Sequence, residues 1–382
     1  MVFLLPGEAA MSFALTMDQE LIRRTVREFA DKELEPKSAE LDLHSRFPAE
    51  NIRKMAPLGL LGLIIPAEEG GSGGDTVSFC LAAEECARAC ASSAFEMVIA
   101  NALIALPLSQ TAPVGLKGEW LPRIIAGEAV GACAVAEEGI GKAGIRTTAK
   151  ATKSGFVLNG SKHFVANATE AHMFLVSARE GDQTSLFLVP KAAKGVHIGR
   201  NPSTLGLRPI PLADVHFSDT LVPADHKLAE GKAEAFADAW QLGKLGSGAI
   251  SVGIAQAALE RAIQFAQQRN QFGRPIAQFE AIQHYIAEME LETKAARALV
   301  LTAAGSRDDS KEWQPEAHAA RLFAAQTATK VTKLSIRVHG GAGYMRELPV
   351  ERYARDARTI NHFGETLDAA RTVLGKRLLG LP

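Results

Sequence analysis

The order of its secondary-structure patterns constrains the fold of this 382-residue chain more than any other feature. Residues 1–130 carry apolar side chains mostly at helical spacing, residues 131–235 carry short alternating runs, and residues 236–382 return to helical spacing. In the middle segment Val215 and Phe217 alternate with polar neighbours, as in a half-buried strand. We therefore expect an α+β chain of three domains in the order helical, antiparallel β, helical, because its length exceeds one ordinary core.

Local signals refine this prediction. Asp18 stands just before apolar residues at helical spacing and is a candidate N-cap of the first helix. In FVLNGSKHFVA the dipeptide Asn159–Gly160 separates two apolar runs, which predicts a β-hairpin. Residues 243–249 are mostly small, so they permit the close approach of a neighbouring helix or of a flat ligand.

The charge balance argues against several classes of function. Lys and Arg total 42 against 43 for Asp and Glu, and no basic block occurs, so neither nucleic acid nor an anionic membrane is an expected partner. No apolar run approaches the length of a membrane span, and the apolar start lacks the basic residues of a signal peptide. The cysteines and histidines show no metal-ligand spacing, so no metal site is expected, and free buried thiols favour the reducing cytoplasm.

Several motifs, taken one at a time, are typical of helix ends and turns and indicate no particular function. HGGAGY at 339–344 is typical of a glycine-rich helix end, and RNQFGRPI at 269–276 is typical of a helix end followed by a turn. Together with LGLLGLIIPAEEGGSGGD, FVLNGSKHFV and HGGAGYMRELPVERYARDAR, in this order, they are much more specific. From about residue 14 to residue 380 the chain resembles the acyl-CoA dehydrogenase flavoprotein family.

This resemblance implies a fold, a cofactor and partners. The implied fold has an N-terminal helical domain, a middle antiparallel β domain and a C-terminal four-helix bundle. The implied cofactor is FAD, and the implied substrate is an acyl-CoA thioester that loses an α-proton to a carboxylate and a β-hydride to the flavin. An electron-transferring flavoprotein is the implied electron acceptor, and the implied assembly is a homotetramer, with a hetero-oligomer as the alternative.

The resemblance also assigns residues to the cofactor and the substrate. Arg269 is similar to an arginine that meets the FAD pyrophosphate of a partner subunit, a role that suits the fork of guanidinium donors. The positions assigned to the cofactor are Glu137, Gly139, Phe164, Ala166, Arg269, Phe272, Gly340, Gly341 and Thr366. The positions assigned to the substrate are Lys142, Lys244, Phe363 and Gly364.

The flavin loops depart from the family pattern. Ala136 replaces a threonine of the flavin loop AEEGIGKAG, which is about two residues shorter than usual. Phe164, Val165 and Ala166 replace the segment that usually brings a hydroxyl near flavin N5.

The catalytic base is displaced along the sequence. Without gaps, Gly364 of FGET takes the position of the family's glutamate, and Glu365 follows one residue later. A shift of one residue turns a side chain by about 100° on a helix. The earlier helix that carries the base in a sister branch has Gly243 and Lys244 at the corresponding place. Glu365 is therefore the candidate base.

Three interpretations of this segment stay open. A compensating slip brings Glu365 over the substrate of an ordinary dehydrogenase. Alternatively, the site lacks a base and the flavoprotein eliminates a β-substituent, or the chain is a non-catalytic subunit of a hetero-oligomer. Glu365 is also explained without catalysis, as a cap or first-turn acid of the helix that TLDAARTVLGKRLL predicts.

Overall fold

The computed structural model describes residues 15–138, 145–228 and 233–381. These residues begin with a helical domain that contains two π-helical segments, Ala30–Leu34 and Ile99–Ala105. Its α-helices are α1 (Met17–Phe29), α2 (Glu35–His44), α3 (Ala49–Met55), α4 (Thr76–Ala89), α5 (Ala91–Val98), α6 (Leu106–Thr111) and α7 (Val114–Ile125).

The first helix begins earlier than the sequence predicted. Thr16, and not Asp18, is its N-cap: the Thr16 hydroxyl accepts from the backbone N–H of Gln19, and the Gln19 side chain accepts from the backbone N–H of Thr16. These two reciprocal hydrogen bonds satisfy the backbone N–H groups of Thr16 and Gln19. Asp18 therefore lies inside the first turn. The N-cap prediction at Asp18 was wrong because a capping box two residues upstream satisfies the same end of the helix better.

The middle domain is a seven-stranded sheet of β1 (Gly131–Ala134), β2 (Thr148–Thr152), β3 (Gly155–Ala166), β4 (Met173–Glu180), β5 (Gln183–Pro190), β6 (Val196–Ile198) and β7 (Leu212–Val222). Six of these strands lie side by side in the order β1-β4-β2-β3-β7-β6, and β5 pairs with β4. Most neighbours are antiparallel, as predicted, but β4 runs parallel to both β1 and β2.

The predicted hairpin at Asn159–Gly160 was wrong. Residues 155–166 form one strand, β3, and the register against β7 shifts between Leu158 and Gly160. Gly160 has φ +149°, and a Cβ atom there would lie 2.5 Å from Thr147 Oγ1. The glycine therefore serves a β-bulge and a close backbone approach instead of a turn.

The C-terminal domain is a helical bundle. Its helices are α8 (Ala233–Gln268), α9 (Glu280–Asp308), α10 (Gln314–His339), α11 (Val350–Ile360) and α12 (Leu367–Leu378), and a short hairpin of β8 (Asn270–Gln271) and β9 (Arg274–Pro275) follows α8. One apolar cluster runs through both helical domains, while a separate cluster fills the β domain. The bundle thus packs directly on the N-terminal helices, with the sheet at their side.

One apolar stretch is longer than the sequence analysis recognised. Ala91–Thr111, which spans α5 to α6, is long and apolar enough to cross a membrane, so the prediction that no run approaches this length was wrong. All of its most apolar window is buried among the other helices. Within the described residues it packs as a core helix.

Candidate functional site

The candidate base lies in the loop between α11 and α12. Thr366 is the N-cap of α12, since its hydroxyl accepts from the backbone N–H of Ala369 at 3.2 Å. The interpretation of Glu365 as the cap of this helix was therefore wrong. The side chain of Glu365 is 16% exposed and points instead towards α8 and α10.

Three cationic or protonatable side chains surround the Glu365 carboxylate. Its Oε1 atom lies 3.0 Å from Lys244 Nζ, 3.5 Å from His318 Nδ1 and 3.7 Å from Arg321 Nη1. Burial would raise the pKa of Glu365, but the contacts with His318 and Lys244 outweigh it and lower this pKa to about 2. Burial lowers the pKa of Lys244, and Glu365 opposes that effect. Glu365 is thus ionised at neutral pH.

A single arginine holds the loop that carries Glu365. Arg321 is 1% exposed, and its Nη2 donates to the carbonyl oxygens of Asn361, Phe363 and Glu365 at 3.3, 2.6 and 2.9 Å. Its Nε and Nη1 have no hydrogen-bond partner among the described residues. Sequence reasoning missed Arg321 and His318. The available signal was a basic side chain three residues after His318 on an otherwise alanine-rich helix face.

Aromatic side chains close the other side of this loop. The Phe363 ring packs edge-to-face on Phe95 of α5 at 5.1 Å between centroids, and Trp240 of α8 lies 5.9 Å from Phe363. Gly364 has φ +78°, and a Cβ atom there would lie 3.4 Å from Lys244 Cε and 3.5 Å from Trp240 Cζ2. The structure therefore brings the predicted substrate residues Lys244, Phe363 and Gly364 together with Glu365.

The small residues of α8 allow helices to pack closely. A Cβ atom at Gly243 would lie 2.8 Å from Leu103 Cδ2, and one at Gly246 would lie 2.9 Å from Val98 Cγ1. The space that these glycines leave is filled by side chains of α5 and of the π-helical segment that follows it. Of the two predicted uses, close approach of a neighbouring helix is the one observed.

Glu137 closes the flavin loop from within the protein. Its carboxylate accepts from the backbone N–H groups of Arg146 and Thr147 at 2.7 and 3.0 Å, and from Lys162 Nζ at 2.6 Å. Burial raises the pKa of Glu137, but the contacts with Lys162 and Thr147 outweigh it and lower this pKa to about 2. Glu137 thus anchors one end of the segment to the other. The predicted residues Gly139 and Lys142 lie outside the described residues.

Phe164 is an exposed aromatic residue in an unusual backbone conformation. It is 71% exposed at φ +49°, and its backbone N–H donates to Asp214 Oδ1 at 3.1 Å. A cavity of about 420 Å³ adjoins it and is also lined by Arg200, Ser203 and Leu212. A non-glycine residue at positive φ stores strain and often marks a functional position. Ala166 ends the same strand and is half-buried.

The remaining predicted cofactor residues lie at the surface. Gly340 has φ +57° at the end of α10, and Cβ atoms at Gly340 and Gly341 would meet nothing within 4 Å. Arg269 is exposed at the end of α8, and Phe272 is 92% exposed in the turn between β8 and β9. The exposed ring beside a cavity, the open glycine edge and the exposed guanidinium are each of a kind that suits contact with a flavin dinucleotide.

Family models match nearly the whole chain. The acyl-CoA dehydrogenase N-terminal domain matches residues 16–128, the middle domain matches residues 132–220, and the C-terminal domain matches residues 234–379.

Individual relatives cover the chain from end to end. It is 36% identical to the probable acyl-CoA dehydrogenase YngJ of Bacillus subtilis, over 97% of this chain and 100% of that protein. Among solved structures, butyryl-CoA dehydrogenase from Megasphaera elsdenii is similar with a TM-score of 0.91 and 31% identity, over 97% of this chain and 100% of that one. A structure described as the electron transferring flavoprotein of Acidaminococcus fermentans contains a similar chain, with a TM-score of 0.93, 32% identity and coverage of 97% and 100%.

Proposed function

Because this chain belongs to the acyl-CoA dehydrogenase family, we propose that it oxidises the Cα–Cβ bond of an acyl-CoA thioester, with FAD as cofactor and Glu365 as the base. The family consists of flavin-dependent oxidoreductases acting on CH–CH bonds. Glu365 is the only carboxylate between α11 and α12, in residues 361–366.

The convergence of two positions on Lys244 carries this proposal. A Cβ atom at Gly364 would lie 3.4 Å from Lys244 Cε, and the Glu365 carboxylate lies 3.0 Å from Lys244 Nζ. Glu365 therefore approaches the region that a side chain at position 364 would face. The positive φ of Gly364 supports this slip, because glycine adopts that conformation at little steric cost.

The environment of Glu365 suits a base that becomes stronger when substrate enters. With a pKa of about 2 the carboxylate is ionised at neutral pH and able to accept a proton, but it is a weak base. The contacts with His318 and Lys244 lower its pKa, so an acyl group that separates the carboxylate from Lys244 removes one of the two, and the effect of burial then raises the pKa. Arg321 keeps the loop in place throughout, through the three carbonyl oxygens that it binds.

The cofactor residues remain part of the proposal. When bound, FAD supplies the acceptor for the hydride that leaves the substrate's Cβ. The residues that would hold it are Phe164, Ala166, Arg269, Phe272, Gly340, Gly341 and Thr366. Glu137 would act indirectly, since its carboxylate joins the two ends of the flavin loop.

Glu365→Gln tests the base. Purified wild-type protein that is yellow from bound flavin should lose its visible flavin absorbance when an acyl-CoA is added without oxygen. The variant should bind the same flavin but bleach about 10²–10⁴-fold more slowly, because a positioned base contributes that much. Glu292→Gln is the matched control, since Glu292 is an ion-paired carboxylate that contacts Lys330 on the far side of α10. Unchanged bleaching by Glu365→Gln would refute the assignment.

The ion pairs of Glu365 favour a second candidate function. If Lys244, His318 and Arg321 keep hold of the carboxylate when thioester binds, no free base is present in the loop. The chain would then either eliminate a β-substituent without net oxidation or serve as a non-catalytic subunit. Wild-type flavin that stays oxidised with every acyl-CoA would favour this candidate.

We propose further that the chain assembles as a homotetramer, with a hetero-oligomer as the alternative, and passes its electrons to an electron-transferring flavoprotein. Large apolar side chains support assembly: Leu291 of α9 and Leu378 and Leu379 near the C-terminus are each more than two-thirds exposed in the single chain. Burial of such exposed apolar surface against another subunit is favourable. Electron transfer to a flavoprotein partner follows from the family alone.

A further inference from the structure

We propose that Phe95, Trp240 and Phe363, together called the aromatic wall, restrict this chain to short apolar acyl groups on coenzyme A. The proposal rests on the function proposed above, because it takes Glu365 as the group beside the substrate's Cα. It adds what the family resemblance leaves open, namely the length of the acyl group and the side chains that set it.

The position of the base determines where the acyl group lies. A general base reaches a proton from about 2.6–3.2 Å, so Cα lies next to Glu365 and the rest of the acyl group lies around loop 361–366. The side towards α10 is cationic or protonatable, with His318 and Arg321 against the carboxylate. An apolar chain there would desolvate buried charges without replacing their contacts, which is costly.

The side of the loop towards α5 and α8 is lined mainly by carbon atoms, because Lys244 presents its Cγ and Cε there beside the Trp240 ring. Phe363 directly precedes Gly364, and Trp240 Cζ2 lies 3.5 Å from the Cβ position of Gly364. The acyl chain therefore extends towards these two rings, where apolar contact is favourable. Behind Phe363 stands Phe95, which is 5% exposed and packs edge-to-face on it at 5.1 Å.

Close helix packing prevents the aromatic wall from moving back. Gly243 faces Leu103, with 2.8 Å between its Cβ position and Leu103 Cδ2, and Phe363 Cε1 lies 3.7 Å from the same Cβ position. One turn further along α8, Gly246 faces Val98 at 2.9 Å. These contacts leave α8 no room to shift towards α5. A protein interior packed to this density yields little to an added methylene.

Butyryl-CoA and octanoyl-CoA are the probes. A methylene too many or too few in an apolar pocket changes kcat/KM by about 10–200-fold, so we expect wild-type kcat/KM to favour butyryl-CoA by at least about tenfold. Trp240→Ala and Phe95→Ala should shift this ratio at least about tenfold towards octanoyl-CoA. Trp240 is half-buried whereas Phe95 is buried, so Trp240→Ala should disturb folding less than Phe95→Ala does. Phe156→Ala is the matched control, because Phe156 pairs with Phe187 at the same 5.1 Å centroid distance in the β domain.

Calorimetric titration of both CoA thioesters gives a readout that needs no turnover. We expect the wild type to bind butyryl-CoA more tightly than octanoyl-CoA. The affinity for octanoyl-CoA should rise in Trp240→Ala and in Phe95→Ala but not in Phe156→Ala. A wild type that binds and oxidises octanoyl-CoA as well as butyryl-CoA overturns the aromatic wall. So does an unchanged chain-length ratio in folded Trp240→Ala and Phe95→Ala proteins.

The two proposals fail in different ways. If butyryl-CoA binds more tightly than octanoyl-CoA but never bleaches the flavin, the result contradicts the proposed oxidation and supports the aromatic wall. Bleaching by all chain lengths equally contradicts the wall and supports the oxidation.

Discussion

At the residue scale, the loop that carries Glu365 is held by one side chain. The carbonyl groups of Asn361, Phe363 and Glu365 all accept from Arg321 Nη2, which lies on a different helix. Each carbonyl belongs to an alternate residue, so the guanidinium determines the curvature of the loop and thereby the direction of the Glu365 side chain. Arg321 is a positioning residue in this account, since it reaches the candidate base through the backbone.

Arg321→Lys tests this role. Lysine keeps the charge, but its side chain is one bond shorter and its ammonium group is not held in a plane, so it is unable to hold all three carbonyl groups in one geometry. We expect kcat for the best acyl-CoA to fall by about 10²-fold, with a much smaller change in KM, because small misplacement of a reacting group has that effect. Steady-state kinetics of flavin-loaded protein measure the changes in kcat and in KM separately.

Arg297→Lys is the control for Arg321→Lys. Arg297 is an arginine of α9 that pairs with Glu84, away from the loop. A loss of thermal stability in Arg321→Lys with kcat unchanged would show that Arg321 supports only the fold.

At the element scale, β3 shows how a tertiary contact can override a turn signal. Asn-Gly favours a two-residue hairpin turn, yet here the chain continues as a strand through Gly160. Pairing with β7 runs from Phe156 to Ala166, pairing with β2 covers residues 155–159, and Thr147 passes within contact of Gly160. The many backbone hydrogen bonds of two neighbours outweigh the preference of one dipeptide.

Gly160→Ala should therefore lower the free energy of unfolding by about 2–4 kcal/mol, because it combines backbone strain with a steric clash. The added Cβ atom would lie 2.5 Å from Thr147 Oγ1 at a φ of +149°. Gly181→Ala separates the two causes, since Gly181 has φ +59° and open space around its Cβ position, and should cost only about 1–2 kcal/mol. Urea unfolding of both variants measures the difference, and equal losses would contradict the clash.

At the scale of the whole molecule, the RDAR motif joins the three domains. Arg355 of α11 donates to both carboxylate oxygens of Asp42 in the N-terminal domain, at 2.9 and 2.7 Å. Next to it, the Asp356 carboxylate accepts from the backbone N–H of Leu207 in the middle domain at 2.7 Å. Burial raises the pKa of Asp356 to about 6, although the Leu207 hydrogen bond opposes this. This signature, which helped to identify the family, therefore has a structural function at the domain junction.

A second junction makes stability depend on pH. Glu96 of α5 is 3% exposed and accepts from the Asn167 side chain, just after β3. Burial raises its pKa to about 8, and the Asn167 hydrogen bond opposes this shift only partly. The folded protein thus holds the Glu96 proton more tightly than the unfolded chain, whose glutamates titrate near 4.5.

The raised pKa of Glu96 determines the direction in which stability changes with pH. Stability from Glu96 is fully present below about pH 4.5 and is lost as the pH rises through 8. Glu96→Gln keeps an acceptor for Asn167 and removes the titration, so its free energy of unfolding should exceed that of the wild type increasingly from pH 5 to pH 8. At pH 8 the difference should reach about 4 kcal/mol. Chemical unfolding at several pH values measures it, and parallel curves for the two proteins would contradict the buried titration.

The sequence by itself determined the order of the three domains, the family and the residues of the loop around Glu365, because these depend on local periodicity and on short motifs. It did not determine the direction of the Glu365 side chain, since that depends on Lys244, His318 and Arg321, which lie on helices α8 and α10. Nor did it predict the aromatic wall, because Phe95, Trp240 and Phe363 are far apart in the chain and meet only when α5, α8 and the α11–α12 loop pack together. Local patterns describe each element, whereas a site made by several elements depends on how their surfaces fit against one another.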